Sequence, residues 1–317
     1  MNITTVSLNP AIDQTVQIND FRTNAVNRGQ AMQFNAGGKG VNVASFLADT
    51  GHVVAVTGFL GEENLEIYER FFARKHIDDH FVRIPGSTRT NVKIVDEANQ
   101  CTTDINMPGL TPAPEGLQTL SSEIEQLATS CDWFVLAGAL PPAVSATLYA
   151  TIITQLKARG KRVVLDTSGE ALRQGVLVSP TVVKPNIDEL QQLTGRMLGS
   201  ESEIEQAARQ LLKGGIELVV VSMGERGALF VDQETALVAV PPTVTVKSTV
   251  GAGDAMVAGL IAGLVQEASL SDCARLATAF SLGRITQLNS SLPAPDVLQT
   301  YAQQVSVHLL SGVPRSA

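Results

Sequence analysis

Short apolar runs rich in β-branched residues recur along this chain, separated by turns and by helical patterns. Six of these runs are predicted to be strands: residues 3–8, 53–57, 133–136, 162–165, 181–183 and 218–221. Runs that are nearly continuously apolar are typical of strands covered on both faces, as in a parallel sheet. Helical patterns occupy residues 38–50, 117–129, 143–159, 187–194, 201–214 and 253–266. The alternation predicts a doubly wound α/β fold, in which a mostly parallel sheet is flanked by helices and ligands bind beyond the carboxyl ends of the strands.

Two segments do not follow this alternation. Residues 13–35 and 83–106 instead contain short stretches in which polar and apolar side chains alternate, as at residues 90–95. This period of two is typical of antiparallel strands with one exposed face. We expect these segments to form a small β-sheet lid over the ligand-binding edge of the main sheet.

The composition limits the class of protein and of ligand. Of the 317 residues, 44% are apolar and 17% are charged, which is typical of a globular chain. The net charge of −8 disfavours nucleic acid as a partner, and the apolar stretch at residues 255–265 is shorter than the roughly 20 residues that span a membrane. Three widely spaced cysteines favour a cytoplasmic location. An anionic substrate would therefore be held by individual basic side chains.

The segment of residues 248–254, Ser-Thr-Val-Gly-Ala-Gly-Asp, comes directly before an apolar helical pattern. Small residues allow a backbone to approach a ligand closely, and a helix start offers N–H groups and partial positive charge to a phosphate. We therefore predict that Gly251, Ala252 and Gly253 form an anion-binding turn and that Asp254 acts as a general base. A simple helix N-cap is the other interpretation of Asp254, and the motif taken alone favours it.

A second glycine-rich turn, Gly37 and Gly38, precedes Lys39 and Asn42 at the start of a predicted helix. Lys39 and Asn42 are three residues apart and therefore share one face of the first turn. The motif is not a Walker loop, because Gly40 stands where Ser or Thr should follow the lysine. The turn could bind a polar or anionic ligand, or it could simply begin the helix, and both interpretations stay open.

The predicted strand at residues 181–183 is followed by Lys184, Asn186 and Glu189. Asn186 could cap the next helix. Alternatively, Asn186 and Glu189 could lie on one face and hold Mg²⁺ through oxygens and water, which is the usual sparse coordination in phosphoryl transfer.

Two charged residues near the predicted lid have similar alternatives. Asp13 follows the first strand and could either end a turn or bind sugar hydroxyls. Arg89 could lie on a solvated strand face, or its guanidinium could bind a phosphate group in a forked geometry.

These motifs, in this order, resemble those of the phosphofructokinase B branch of the ribokinase-like sugar kinases. The matching segments are residues 36–44, 166–169, 184–186, 222–227 and 248–255. The resemblance extends from about Ser7 to about Asn289 and implies a single ribokinase-like kinase domain over residues 1–317. Lys39 and Arg89 resemble the phosphosugar kinases of the family, since 1-phosphofructokinases and tagatose-6-phosphate kinases carry lysine where the minor 6-phosphofructokinase type usually has glycine.

The resemblance implies an ATP-dependent kinase that converts D-fructose 1-phosphate to D-fructose 1,6-bisphosphate, with ATP and Mg²⁺ bound and a homodimer formed through the lid. Asp254 would take the proton of the attacking hydroxyl, while Gly251, Ala252 and Gly253 stabilise the transferred group. The implied sugar-phosphate site comprises Asp13, Gly37, Gly38, Lys39, Asn42 and Arg89. The implied nucleotide site comprises Lys184, Asn186, Ser222, Gly224, Gly227, Ser248 and Asn289. The implied Mg²⁺ site lies near Asn186 and Glu189, through water.

One position departs from the family pattern. Ala139 stands where relatives commonly have a serine whose hydroxyl faces the sugar phosphate, so D-tagatose 6-phosphate stays open as an alternative acceptor. A non-catalytic sugar-phosphate sensor is a second alternative, disfavoured because a sensor does not need the base Asp254. A kinase of free sugars or nucleosides is a third, disfavoured by Lys39 and Arg89.

Overall fold

The computed structural model describes residues 2–287 and 291–312. Within them, an eleven-stranded sheet is flanked by helices and a separate sheet has four strands. The strands are β1 (Asn2–Ser7), β2 (Ala11–Ile18), β3 (Gly29–Gly37), β4 (Val54–Gly61), β5 (Asp78–Asp79), β6 (Val82–Ile84), β7 (Thr90–Asp96), β8 (Cys101–Ile105), β9 (Cys131–Ala137), β10 (Arg162–Asp166), β11 (Val182–Val183), β12 (Leu218–Ser222), β13 (Ala228–Val231), β14 (Thr235–Val240) and β15 (Ser306–Gly312). The doubly wound α/β prediction is confirmed.

Helices cover both faces of the large sheet. They are α1 (Lys39–Asp49), α2 (Glu66–Lys75), α3 (Pro114–Leu127), α4 (Leu148–Ala158), α5 (Gly169–Leu177), α6 (Ile187–Thr194), α7 (Glu201–Leu212), α8 (Ala252–Val265), α9 (Leu270–Ile285) and α10 (Pro295–Gln304). One apolar core joins the sheet to α1, α2, α8, α9 and α10. The other joins its opposite face to α3, α4, α5, α6 and α7.

The strand order of the large sheet is β15-β14-β13-β12-β11-β10-β9-β1-β4-β5, and β6 also pairs with β4. The strands from β12 to β4 are parallel, while β13, β14 and β15 add an antiparallel edge. Every residue of β4 is buried, which explains why its sequence is almost entirely apolar, with Thr57 as the exception. The carboxyl ends of the parallel strands therefore meet at one edge, where the fold places its ligands.

The six predicted strands and the six predicted helices are all present, with one large difference in a boundary. The pattern at residues 143–159 predicts a helix, but α4 begins only at Leu148. Pro141 and Pro142 precede this segment, and Ala143 has a left-handed backbone with φ of 60°. The left-handed backbone of Ala143 is incompatible with a continuous helix, so the chain turns before α4 begins.

Helix α8 is apolar on all sides because it lies inside the protein. Residues 254–263 of α8 are buried, with α1 and α9 packed against the helix. A helix enclosed in this way has a fixed position, and its first turn holds the segment predicted to bind the anion.

The small sheet has the order β3-β2-β7-β8 and supplies the predicted lid. It comprises residues 11–37 and 90–105, whereas residues 83 and 84, which were expected in the lid, belong to β6 of the large sheet. Asp13 of β2 pairs with Asn35 and Asn91 in register. Since side chains alternate along a strand, the polar row at Asp13 lies on one face and the neighbouring apolar residues lie on the other.

No helix in residues 2–287 or 291–312 has the length and apolar character that crossing a membrane requires.

Candidate active site

A cavity of about 570 Å³ opens at the carboxyl ends of the parallel strands, beneath the small sheet. Its volume lies within the range of roughly 300–1,000 Å³ that is usual for small-molecule sites. The strands β1, β9, β10 and β12, the lid strand β2 and the starts of α1 and α8 all contribute to its wall. Five of the six predicted sugar-phosphate residues and three of the seven predicted nucleotide residues line this one cavity.

Asp254 lies in the cavity wall with only 6% of its surface exposed. It is the third residue of α8, and the N-cap is Gly251, which makes no side-chain capping bond. The interpretation of Asp254 as a helix cap is therefore wrong. Its carboxylate is directed at α1 instead, where Asn42 Nδ2 donates to Asp254 Oδ2 at 2.7 Å. This bond fixes the carboxylate while leaving its other oxygen available.

The turn before α8 depends on a glycine. Gly251 has φ of 81°, a left-handed conformation that other residues adopt only with strain. Gly251 and Gly253 line the cavity, and within the described chain neither of their N–H groups has a hydrogen-bond acceptor. The N–H of Ala252 instead donates to the Thr249 carbonyl at 3.3 Å, and Ala252 is not part of the wall. Two of the three predicted N–H donors, those of Gly251 and Gly253, are therefore available to an anion in the cavity.

Two lysines meet at one buried carboxylate. Lys39 Nζ and Lys184 Nζ each lie 3.3 Å from Asp166 Oδ1. Asp166 is 1% exposed, and its Oδ2 has no hydrogen-bond partner among residues 2–287 and 291–312. Asp166 thereby connects the predicted sugar side, at Lys39, with the predicted nucleotide side, at Lys184.

Asp166 was not among the predicted site residues, although residues 166–169 match a motif of the family. A signal was available, because Asp166 is the last residue of β10. In doubly wound folds, a polar residue that ends a parallel strand lies at the ligand-binding edge.

The charges around Asp254 tune its acidity. Burial raises the pKa of Asp254 to about 6, against the opposing influence of Lys39 and Lys184. Burial by itself lowers the pKa of Lys39, but Asp166 and Asp254 outweigh it, so the pKa of Lys39 is raised and the lysine stays charged. A carboxylate with a pKa just below neutral is ionised at pH 7 and yet basic enough to accept a proton efficiently.

The guanidinium of Arg89 lines the cavity and is held firmly by backbone carbonyls. Its Nε donates to Pro10 at 3.2 Å, its Nη1 to Met107 at 2.9 Å and its Nη2 to Asn9 at 2.8 Å. Because an arginine has five N–H donors, two stay available for a ligand. The Arg89 guanidinium is therefore a fixed cation with two remaining N–H donors, as a phosphate-binding site requires.

Asp13 faces the same part of the cavity from the lid, and burial raises its pKa against a hydrogen bond from Asn91. Gly38 lines the wall with φ of 117°, and a Cβ at this position would lie 2.9 Å from Pro10 Cα. Gly37 is buried behind Asp13 and is not part of the wall, but a side chain there would collide with the Asp13 carboxylate. Gly37 therefore serves the predicted sugar site by leaving space.

Asn186 and Glu189 form a capping box at the start of α6. Asn186 Oδ1 accepts from the Glu189 N–H, and Glu189 Oε2 accepts from the Asn186 N–H, both at 2.8 Å. The capping interpretation of Asn186 is thus confirmed. Both residues also line the cavity, and Glu189 Oε1 accepts no hydrogen bond from the described residues.

These oxygens fit a sparsely coordinated Mg²⁺. The described residues contain no group of three or more His, Cys, Asp or Glu side chains that could hold a metal by themselves. Mg²⁺ in phosphoryl transfer is usually bound by one or two carboxylates together with waters and phosphates. The partnerless Oδ2 of Asp166 and the carboxylate of Glu189 offer such ligands.

The other predicted nucleotide residues have different positions. Ser222 lines the cavity at the end of β12. Gly224 and Gly227 shape the turn between β12 and β13 and are not in the wall. Ser248 also lies outside the wall, and its Oγ accepts from the Val250 N–H at 3.4 Å. Asn289 lies outside the described residues.

Comparison with known proteins identifies the family of this chain. Residues 6–297 match the model of the pfkB family of carbohydrate kinases. The chain belongs to this family. Its similarity to members of the pfkB family extends over nearly its whole length, so the resemblance inferred from the motifs is confirmed and the protein is a sugar kinase that uses ATP.

Two curated relatives carry the name 1-phosphofructokinase. The protein from Rhodobacter capsulatus is 47% identical over 99% of this chain and 99% of its own length. The protein from Xanthomonas campestris pv. campestris is 44% identical over 96% of this chain and 97% of its own length. Among solved structures, phosphofructokinase-2 from Escherichia coli in complex with potassium is 29% identical, with a TM-score of 0.90 over 95% of this chain and 98% of that chain.

Proposed function

We propose that this pfkB-family kinase transfers the γ-phosphoryl group of ATP to the 6-hydroxyl of D-fructose 1-phosphate, giving D-fructose 1,6-bisphosphate and ADP. The observation that carries the proposal is the position of Asp254, buried in the cavity wall at the start of α8, which has no side-chain cap, and close enough to Lys39 and Lys184 for both to lower its pKa. The names of the two relatives favour D-fructose 1-phosphate over D-tagatose 6-phosphate as the acceptor.

In the proposed reaction, the Asp254 carboxylate accepts the proton of the 6-hydroxyl as its oxygen attacks the γ-phosphorus. A new oxygen–phosphorus bond forms, the bond between the γ-phosphorus and the bridging oxygen breaks, and ADP leaves with the bond electrons. The N–H groups of Gly251 and Gly253 stabilise the charge on the transferred group. One such donor is commonly worth on the order of 10²–10³ in rate.

The sugar phosphate is proposed to lie beneath the lid. Lys39 and Arg89 bind the phosphate group at C1, because both are cations in the cavity wall. Asp13, Gly38 and Asn42 contact sugar hydroxyls. Gly37 contributes only by leaving space for the Asp13 carboxylate.

The nucleotide is proposed to lie along the ends of β11 and β12. Lys184 and Asn186 contact its phosphates and Ser222 lines its site, while the roles assigned to Gly224, Gly227, Ser248 and Asn289 stay predictions. Mg²⁺ would be held near Asn186 and Glu189, mainly through water, and when bound it neutralises phosphate charge. The residues of the chain itself position the nucleotide and move the proton.

The outer face of the lid supports the proposal of a homodimer. Val16, Met32, Phe34, Ile94 and Ile105 share the face opposite to Asp13, and Met32, Phe34 and Ile105 are 60%, 45% and 46% exposed. A contiguous exposed apolar face of this kind is typical of an interface. Phe34→Glu should convert the dimer to a monomer in sedimentation, and a wild-type monomer would contradict the proposal.

An ADP-release assay with D-fructose 1-phosphate, D-tagatose 6-phosphate, D-fructose 6-phosphate and D-ribose tests the substrate. We expect the highest kcat/KM with D-fructose 1-phosphate. A preference for ribose would contradict the anion-pocket argument, and a preference for D-tagatose 6-phosphate would contradict the proposed acceptor. The cytoplasmic location and the single domain over residues 1–317 stay predictions.

Arg89→Ala tests the side of the cavity on which the sugar phosphate lies. We expect a KM for the sugar phosphate raised at least tenfold and a KM for ATP that is nearly unchanged. Arg83→Ala is the matched control, because Arg83 is paired with Asp79 outside this cavity. Equal effects of Arg89→Ala on both KM values would refute the assignment of Arg89 to the sugar side.

A further inference from the structure

A buried arginine lies directly behind the anion-binding turn. Arg284, in the last turn of α9, is 4% exposed and does not line the cavity. A Cβ on Gly251 would lie 3.2 Å from Arg284 Nε and 3.8 Å from Arg284 Cδ. The guanidinium therefore occupies the space beside Gly251 in which a side chain would stand.

The same end of α9 also holds the segment that leads into the turn. The carbonyl of Ile285 accepts from the Lys247 N–H at 2.8 Å and from the Ser248 N–H at 3.2 Å. The turn is thus fixed at two points, by backbone hydrogen bonds to Ile285 before it and by the Arg284 guanidinium behind it.

The charge of Arg284 is weakly compensated. In the described part of the chain, its side chain makes one hydrogen bond, from Nη1 to the Gln287 carbonyl at 3.0 Å, and no ion pair. Burying a charge with so few partners is unfavourable for stability. Burial lowers the pKa of Arg284, while the nearby Asp254 carboxylate raises it. An unfavourable buried charge that lies next to a catalytic group points to a functional reason for its presence.

The position suits stabilisation of the transferred phosphoryl group. A helix start carries only partial positive charge, and the two N–H donors of Gly251 and Gly253 share the anion between them. A full positive charge behind these donors strengthens their field, and its effect is large where water is excluded.

We propose that Arg284 is a positioning residue, which holds the Gly251 turn in its left-handed form and places fixed positive charge behind the N–H groups that receive the phosphoryl group. This inference rests on the proposed roles of the turn and of Asp254 in phosphoryl transfer. Arg284 acts through the turn and does not touch the substrate.

Arg284→Met, Arg284→Lys and Arg275→Met test this role. Arg275 is the matched control, since it lies on the same helix and its Nη1 also donates to a backbone carbonyl, that of Val305, away from the turn. We expect Arg284→Met to lower kcat about tenfold to a hundredfold and to change both KM values less than threefold. Arg284→Lys should restore most of the kcat, and Arg275→Met should match the wild type.

The pH profile separates this role from packing alone. The charged groups that face Asp254 are Lys39 of α1, Asp166 at the end of β10, Lys184 after β11 and Arg284 of α9. Because a positive neighbour favours the ionised carboxylate, its removal raises the pKa of Asp254. The acid limb of kcat should therefore move upward by about half a pH unit or more in Arg284→Met, and should stay in place in Arg284→Lys.

A wild-type kcat and an unmoved acid limb in Arg284→Met would overturn the inference, even if the melting temperature changed. Should the methionine variant fail to fold, Arg284→Gln is judged by the same two criteria. The proposed substrate is tested separately by the wild-type enzyme. If that enzyme rejected D-fructose 1-phosphate, the acceptor proposal would fail, and the Arg284 comparison would be made with the sugar phosphate that is accepted.

Discussion

Two helices begin at the same cavity, and their N-termini are built in opposite ways. Helix α6 begins behind a capping box, in which Asn186 and Glu189 satisfy each other's N–H groups. Helix α8 begins behind Gly251, which has no side chain and makes no capping bond.

The two helix starts therefore suit ligands of opposite charge. The N–H groups of Asn186 and Glu189 at the start of α6 are already used by the capping box, and the side-chain oxygens of these two residues line the cavity, where they suit a hydrated cation. The start of α8 keeps the N–H groups of Gly251 and Gly253 for a ligand, which suits an anion. A side-chain cap would stabilise α8 but could occupy the Gly253 N–H, one of the two donors that the proposed reaction uses.

Asp254→Asn should have the largest effect, since it removes the proposed base at the start of α8. We expect kcat to fall on the order of 10³-fold or more, while ATP affinity measured by calorimetry stays within about threefold. The asparagine retains the size of the side chain and the contact with Asn42. A variant that kept most of its kcat would show that the aspartate is not the base.

Gly251→Ala should lower kcat on the order of 10²-fold, because a Cβ would force the turn out of its left-handed form and against Arg284. Gly195→Ala is the matched control at the far end of α6, where φ is 67° and no atom lies within 4 Å of the added Cβ. Both substitutions should destabilise the fold by about 1–2 kcal/mol. Similar kcat values for the two variants would mean that the turn contributes only to stability.

The raised pKa of Asp254 predicts a smaller effect, a fall of kcat at acidic pH, which is measured across a series of buffers. Because its pKa is raised to about 6, the ionised base is present above pH 6 and is lost as the pH falls through 6. We expect kcat at pH 5 to be about a tenth of its plateau value. A plateau that continued unchanged down to pH 5 would contradict the environment described for this carboxylate.

The raised pKa of Asp254 also makes the stability of the fold depend on pH, and in the opposite sense to kcat: stability falls as the pH rises. A protonated Asp254 is favoured by the folded state, so this contribution to stability is full below the unfolded value of 3.8 and is lost as the pH rises through about 6. Asp254→Asn, which stays neutral, should therefore melt at a higher temperature than the wild type at pH 8. The two melting temperatures should converge toward pH 4.

The capped helix should show the smallest effects. Asn186→Ala and Ser200→Ala each remove a capping box, that of α6 and that of α7, and each should destabilise the fold by about 1 kcal/mol. Only Asn186→Ala should also lower kcat/KM for ATP, by about tenfold or less. Glu189→Gln should retain the cap and raise the Mg²⁺ concentration needed for half-maximal activity. Equal kinetics for Asn186→Ala and Ser200→Ala would restrict Asn186 to capping.

The sequence was informative where one residue or one local spacing decides the structure. Nearly continuous apolar runs predicted β4 and its neighbours because both faces of a central strand are buried. The spacing of Lys39 and Asn42 placed both in the cavity wall because a helix brings residues three apart to one face. Asp254 was identified as a candidate, but its cap-or-base ambiguity could not be resolved locally, since the cap position depends on where the helix begins.

Features that depend on distant segments were not predictable. The shared contact of Lys39 and Lys184 with Asp166 joins three separate strand ends, and no local pattern records which strands are neighbours. Arg284 carries no motif, because its importance comes from the packing of α9 against Gly251. The late start of α4 was hidden for another reason, since an apolar pattern continues through a turn in which Ala143 has a left-handed backbone.

At one of its connections, the lid is joined to the core without a linker. Strand β3 ends at Gly37 and α1 begins at Lys39, so Gly38 alone separates the lid strand from the helix. One turn further along α1, Asn42 holds the carboxylate of Asp254. Gly38 is itself closely held, because its carbonyl accepts from the Asn42 N–H and Pro10 leaves no room for a Cβ. The placement of the lid strand and the direction of the Asp254 carboxylate are therefore set by the same short stretch of chain.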